Sequence, residues 1–410
     1  MDPEAFVSTL GGIQTLNGTE GPRRNIFEPK FEARKEAETL QRTLLNAMKD
    51  DPSDQAQQQL CQVWLFLAMN LFETEEDKEA MATLLVTYRI MEHSVAGTRY
   101  NFFPDAGEVP PPGEGQFPPS LAVNKKQGWE TRTLKDVLSA EEAPSSAANG
   151  FRGVELFIDV ANSFGILLSS RQDCRERLDD ARKVLHVAER CYTAWVRWWE
   201  GPQGKCSLAA VPLSDTGDVV APAETPALKV AEFKERKRMD DLGTQNIFYL
   251  AQAYGALGHA DNSSKYCHLT MVRQMLGKKE FSRKEWATNA VHLSGYYNTL
   301  NAYGMSLHCL QAARAVMPTD DPSEETLGTV AWGFVKFAKG RLGHARDHPD
   351  DAAGTSVQDF LLRHPWWVDF PVPGVAPPAD VAPITDFPSA REVFKLGNRE
   401  CQEACKWYTY

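Results

Sequence analysis

The chain has 410 residues, 42% of them apolar and 10% aromatic, enough for a sizeable core and too apolar for a wholly disordered protein. Its 55 acidic residues against 44 basic ones give a net charge of −11. That argues against general nucleic-acid binding, which needs a basic footprint to displace counterions from phosphates.

The first residues, MDPEAFVSTLGG, start acidic and lack the apolar run of a secretion signal, and no stretch approaches the ~18 apolar residues of a membrane span. Residues 1–27 are expected to be a flexible lead, and 28–94 to hold an N-terminal helix and a first helical hairpin (about 55–73 and 76–93, joined by the acidic turn ETEE). From 95 to 150 the chain turns Pro- and Gly-rich (NFFPDAGEVPPPGEGQFPPS) and reads as an irregular insert. Helical periodicity resumes over 151–345, with segments at 151–170, 174–199, 229–257, 260–276, 283–300, 303–316 and 323–345. A Pro-rich loop at 346–387 then leads to a last, linking helix at 388–410. Strand alternation is absent, so the expected class is all-α.

The helical segments repeat. Aligning residue 244 with 287 without gaps sets Leu250 and Ala251 opposite Leu293 and Ser294, and Tyr254 opposite Tyr297. In the following helix Ser263 falls opposite Ser306, Cys267 opposite Leu310 and Thr270 opposite Ala313. Leu67, Ala68 and Leu71 with Ala80, Leu84 and Thr87 keep the same offsets. So do Phe164, Gly165 and Leu168 with Ala181, Leu185 and Ala188, once about one extra turn is allowed. A large–small pair, an aromatic one turn later and small residues in the second helix make a tetratricopeptide-like pattern of antiparallel helix pairs, a helical-repeat solenoid. Cys267, adjacent to His268 in YCH, therefore reads as a packing residue rather than a nucleophile, because its sister position holds leucine.

Catalytic and cofactor signatures fail on inspection. Gly204-Lys205 has Trp199 where a phosphate loop needs its first glycine. His344 and His348 are one helical turn apart, but Ala345 stands where a metalloprotease needs glutamate. Cys401 and Cys405 have no third ligand nearby in sequence. No enzymatic activity, cofactor or metal is expected. Trp366-Trp367 is expected to tuck against the helices.

A closer likeness then emerges. NIFYLAQAYGALGHADNSSKYCHLTMVRQM, EWATNAVHLSGYY and LHCLQAARAV, with ANSFGILLSSR and DFPSAREVFKLGNRECQEA, resemble the kinesin-family binding protein family (KIF-binding protein) in collinear order from about residue 55 to 408. The resemblance implies a tetratricopeptide-like solenoid that clasps kinesin motor domains and regulates their microtubule attachment and cargo transport. Its implied location is the cytoplasm, with the cytoskeleton. The family carries a second set of repeats after the segment matching 388–408, so the C-terminal part of the clasp is expected to be missing here.

In a repeat solenoid the first helices of successive hairpins line a concave face. On that basis Gln245, Phe248, Tyr249, Gln252, Thr288, His292 and Asn298 are the expected partner-binding residues, with Gln274, at the end of a second helix, expected near an inter-repeat loop; together they make an amide-and-aromatic strip suited to a motor helix. The acidic turns 73–76 and 319–325 are expected to rim it and attract a basic motor surface. The alternative is a co-chaperone-like adaptor that clamps an extended acidic peptide. It needs Lys and Arg on the concave face, where these positions hold Gln, Thr, Asn and His.

Overall fold

The computed structural model describes residues 1–21, 25–50, 53–95, 151, 153–170, 175–200, 227–277, 281–317 and 324–381. Among them every regular element is helical. The helices are α1 (Pro3–Asn17), α2 (Glu28–Asp50), α3 (Asp54–Glu73), α4 (Asp77–Val95), α5 (Val154–Ser169), α6 (Arg175–Glu200), α7 (Ala227–Ala256), α8 (Ala260–Leu276), α9 (Arg283–Thr299), α10 (Tyr303–Val316), α11 (Glu324–Asp347) and α12 (Val357–Arg363), with one 3-10 turn at Pro349–Asp351. The expected insert beyond Val95, the loop 201–226 and the linking helix 388–410 lie outside the described residues. The chain forms two compact units, Met1–Ala210 with Lys234–Leu257, and Val211–Phe233 with Gly258–Tyr410.

In the first unit α1 packs on α2, α2 on α3, α3 on α4, α4 on α5 and α5 on α6. The large–small–aromatic slots are core: Leu67, Ala68 and Leu71, like Phe164 and Leu168, are buried. At Gly165 an added Cβ would lie 2.6 Å from Leu185 Cδ2, so the small slot is what lets α6 approach α5. Tyr88 fills the space above this pair, its ring 5.1 Å from Phe157 and 5.9 Å from Phe164.

The N-terminal lead is not irregular over Pro3–Asn17. Asp2 caps α1 by accepting from the Ala5 N–H at 3.1 Å, and Phe6, Leu10 and Ile13 are buried one turn apart. The adjacent Gly11 and Gly12 weaken the helical signal in sequence, yet added Cβ atoms there meet nothing within 4 Å, so both glycines sit on the open side.

The turn ETEE is also reorganised. Glu75 takes a left-handed φ of 66°, and the Glu76 N–H closes back on the Leu71 carbonyl at 2.8 Å. Glu73 pairs with Lys30 and Glu76 with Arg34, so α2 pairs two of the three glutamates of this turn. The other expected rim, 319–325, falls mostly outside the described residues. Its Glu325 pairs with Lys284.

In the second unit α9 and α10 form the tightest hairpin. Ser282 caps α9, Asn301 at φ 55° turns the chain, and Ser294 Oγ meets Ser306 Oγ at 2.8 Å where the small residues of the two helices face each other. Trp286, Tyr297, Tyr303 and Leu310 fill the core between them. The segment read as a Pro-rich loop contains α12, capped by Ser356, and a strap over 364–381 that lies on α8, α9 and α10.

Candidate partner-binding faces

In the first unit α7 is fastened by its buried side. Asn246 Nδ2 donates to Asn162 Oδ1 at 2.8 Å and to the Leu185 carbonyl at 3.0 Å, while Asn162 Nδ2 donates to the Leu242 carbonyl at 3.1 Å. Tyr254 is seated against His186, with its hydroxyl 2.6 Å from Nε2. These bonds fix which side of α7 faces outward. Gln245, Phe248, Tyr249 and Gln252 recur at i, i+3, i+4 and i+7 and form one stripe. Gln245 and Gln252 are exposed, Phe248 is 39% exposed and Tyr249 is half-buried. Gln245 Nε2 donates to the Tyr249 hydroxyl at 3.3 Å, and the Phe248 and Tyr249 rings meet edge-on at 5.4 Å. The stripe is thus an ordered aromatic pair flanked by two amides.

In the second unit the expected residues separate. His292 is exposed, and Thr288, one turn before it, is half-buried with its hydroxyl donating to the Lys284 carbonyl at 2.9 Å. Gln274 is half-buried near the end of α8. Asn298 is not presented to a partner. Its Nδ2 donates to the Lys336 carbonyl at 3.3 Å and its side chain presses on Gly340, so it joins α9 to α11. Sequence spacing placed it on the open side because the direction from which α11 approaches is not encoded within α9.

Three exposed residues on α11 stand outside the expected set. Trp332 is 54% exposed, and Lys336 and Lys339 follow it at i+4 and i+7 on the outer face of α11. An isolated tryptophan followed by two lysines at helical spacing was the available signal.

The YCH segment resolves into packing. Cys267 is half-buried, its sulfur 3.9 Å from that of Met271, and burial pushes its thiol up to about 11, far from a nucleophilic thiolate. His268 is fully buried between two rings of the strap, 4.0 Å from Trp367 and 4.4 Å from Phe370, and its Nε2–H donates to the Val368 carbonyl at 2.6 Å. Burial lowers its pKa to about 4, so the ring is neutral. Trp367 therefore tucks in as expected, edge-on to Tyr297 at 5.2 Å. Among the described residues no group of three or more His, Cys, Asp or Glu is placed to hold a metal ion, and no helix is long and apolar enough to cross a membrane.

Paired helices repeating large, small and aromatic slots, with ordered side chains on their outer faces, define an all-α helical-repeat protein. The chain is similar in sequence to proteins named KIF-binding protein. It is 33% identical over 173 residues to that of Danio rerio, covering 42% of this chain and 25% of the relative. To the Gallus gallus protein it is 31% identical over 225 residues (51% of this chain, 35% of the relative), and to the Dictyostelium discoideum protein 33% over 115 residues (27% and 18%). The match thus spans about a quarter of the length of the zebrafish relative. No family model and no solved structure matches.

Proposed function

We propose that this chain is a non-enzymatic binding protein that holds kinesin motor domains and regulates their attachment to microtubules and the cargo transport they drive. The observation that carries this reading is the relationship to proteins named for binding KIF, across vertebrates and Dictyostelium. Its work would be done in the cytoplasm, on the cytoskeleton.

The α7 stripe suits the task physically. Phe248 and Tyr249 offer apolar area at small entropic cost, and Gln245 and Gln252 offer both donors and acceptors, a combination that fits the flank of an amphipathic helix. Thr288 and His292, in the second unit, offer hydrogen-bonding groups of their own on α9. With Glu73, Glu76 and Glu325 already paired, affinity is assigned to these contacts rather than to a charged rim. Capture of a purified kinesin motor domain on immobilised chain tests the reading. A Gln252→Ala, His292→Ala double variant should lose most of the captured motor with its circular dichroism unchanged. Undiminished capture by that variant would remove both residues from the binding face.

A further inference from the structure

The side of α9 that carries Thr288 and His292 continues onto α11, where the exposed groups are chemically different. Lys284 pairs with Glu325 near the N-terminal ends, Val291 lies against Gly333 midway, and Asn298 meets Lys336 and Gly340 near the other ends, so the two helices run parallel. From the direction in which α9 faces α11, Thr288, His292 and Gly295 lie roughly 40–100° round the helix. From the direction in which α11 faces α9, Trp332, Lys336 and Lys339 lie roughly 60–120° round in the opposite sense. In a parallel pair, opposite rotations bring both sets to one side.

Trp332 is 54% exposed, and neither Lys336 nor Lys339 forms an ion pair among the described residues. Gly295 leaves the floor open beside them, since a Cβ built there meets nothing within 4 Å. In a chain of net charge −11 this end of the face is positive, with a flat apolar ring next to two lysines that span about 5 Å of helix.

We propose that this face binds an acidic segment of a partner protein, one that sets carboxylates on Lys336 and Lys339 and an apolar side chain on Trp332. The chemistry is specific in sign. Among the described residues no carboxylate pairs with Lys336 or Lys339, while the carboxylate of Glu325 at the far end is held by Lys284. Trp332 supplies the large, rigid contact that anchors such interfaces. The inference does not rest on kinesin binding; it assigns only the α11 part of this face, Trp332, Lys336 and Lys339, to a segment opposite in charge to a basic motor surface.

Fluorescence anisotropy tests it on the full chain, with a labelled 16-residue helical peptide carrying glutamates around leucines. The same peptide with Gln for Glu and a 16-nucleotide oligothymidine are the comparisons. Wild type should bind the Glu peptide at least about tenfold more tightly than the Gln peptide, with affinity falling as salt rises. The double reversal Lys336→Glu, Lys339→Glu should weaken the Glu peptide at least about tenfold, and Trp332→Ala by a similar factor. All three side chains are exposed, so circular dichroism should be unchanged. Equal binding by the reversed variant, equal binding of the Gln peptide, or no binding by wild type overturns the proposal. Oligothymidine bound as tightly as the Glu peptide also overturns it, in favour of a general polyanion site. Motor capture measured in parallel separates the two claims: its absence with peptide binding intact counts against the kinesin reading alone.

Discussion

Phe370 donates its backbone N–H to Nε2 of His308 at 3.2 Å, while the other ring nitrogen, Nδ1, donates to the Ala376 carbonyl at 3.0 Å. Both nitrogens are thus committed in the neutral ring, and a second proton on Nε2 would face a donor. His268, whose ring stacks on Phe370 at 4.4 Å, is likewise held neutral. The strap is fastened to α8 and α10 by two uncharged histidines.

Acid should therefore loosen the second unit. The folded-state pKa of His268 is lowered to about 4 from an ordinary 6.5, and that of His308 is lowered too, chiefly by burial. Stability from a depressed histidine is present above the unfolded pKa and is lost as pH falls through 6.5 toward 4, about 3 kcal/mol for His268. Urea unfolding at pH 7.5, 5.5 and 4.5 checks this against His268→Phe. Wild type should lose more stability over the range than the variant, and parallel curves would contradict the assignment.

Asp159 should show the opposite sign. Burial, then Glu155 beside it, raises its pKa to about 6 from 3.8. A carboxyl raised in the folded state favours folding when protonated, and that contribution fades as pH rises through about 6. Asp159→Asn should thus stabilise the protein at pH 7.5 by about 3 kcal/mol and change little at pH 4. Paired thermal melts at the two pH values are the readout, and a variant less stable than wild type at pH 7.5 would sink the prediction.

The repeat slots should respond to size in both directions. Gly165→Ala drives a Cβ toward Leu185, and overpacking should cost about 1–3 kcal/mol. Leu293→Ala, at the matching large position of α9, leaves a cavity and should cost about 2–5 kcal/mol. Denaturant midpoints decide both, and a neutral Gly165→Ala would mean that the two helices separate freely.

At the end of α3, Glu75 holds a left-handed φ of 66° without being glycine. Glu75→Gly should remove that strain and raise stability by about 1 kcal/mol. A loss of stability would show instead that the Glu75 side chain contributes more than its backbone costs.

The sequence revealed the helices and their register, because the large–small–aromatic spacing constrains core volume and the core is where side-chain identity is least free. It placed Cys267 and Tyr254 among packing residues, although Cys267 keeps partial exposure. It did not reveal α1, whose helical signal is weakened by two glycines on its open side, nor the strap, whose contacts join residues some hundred positions apart, such as His268 and Val368. The candidate faces were legible only where one helix suffices. The α7 stripe follows from i, i+3, i+4 spacing alone. Asn298 and Trp332 exchange roles only once the direction from which α11 meets α9 is known, and that depends on glycines at 333 and 340 that spacing does not interpret.

Co-sedimentation of a kinesin motor domain with microtubules, with and without this chain, tests the central claim most directly. If the chain holds the motor at its microtubule-facing side, the motor should move from pellet to supernatant as the chain is added, and the Gln252→Ala, His292→Ala variant should leave it in the pellet. A motor that pellets unchanged at saturating chain, with no chain bound to it, would contradict the account.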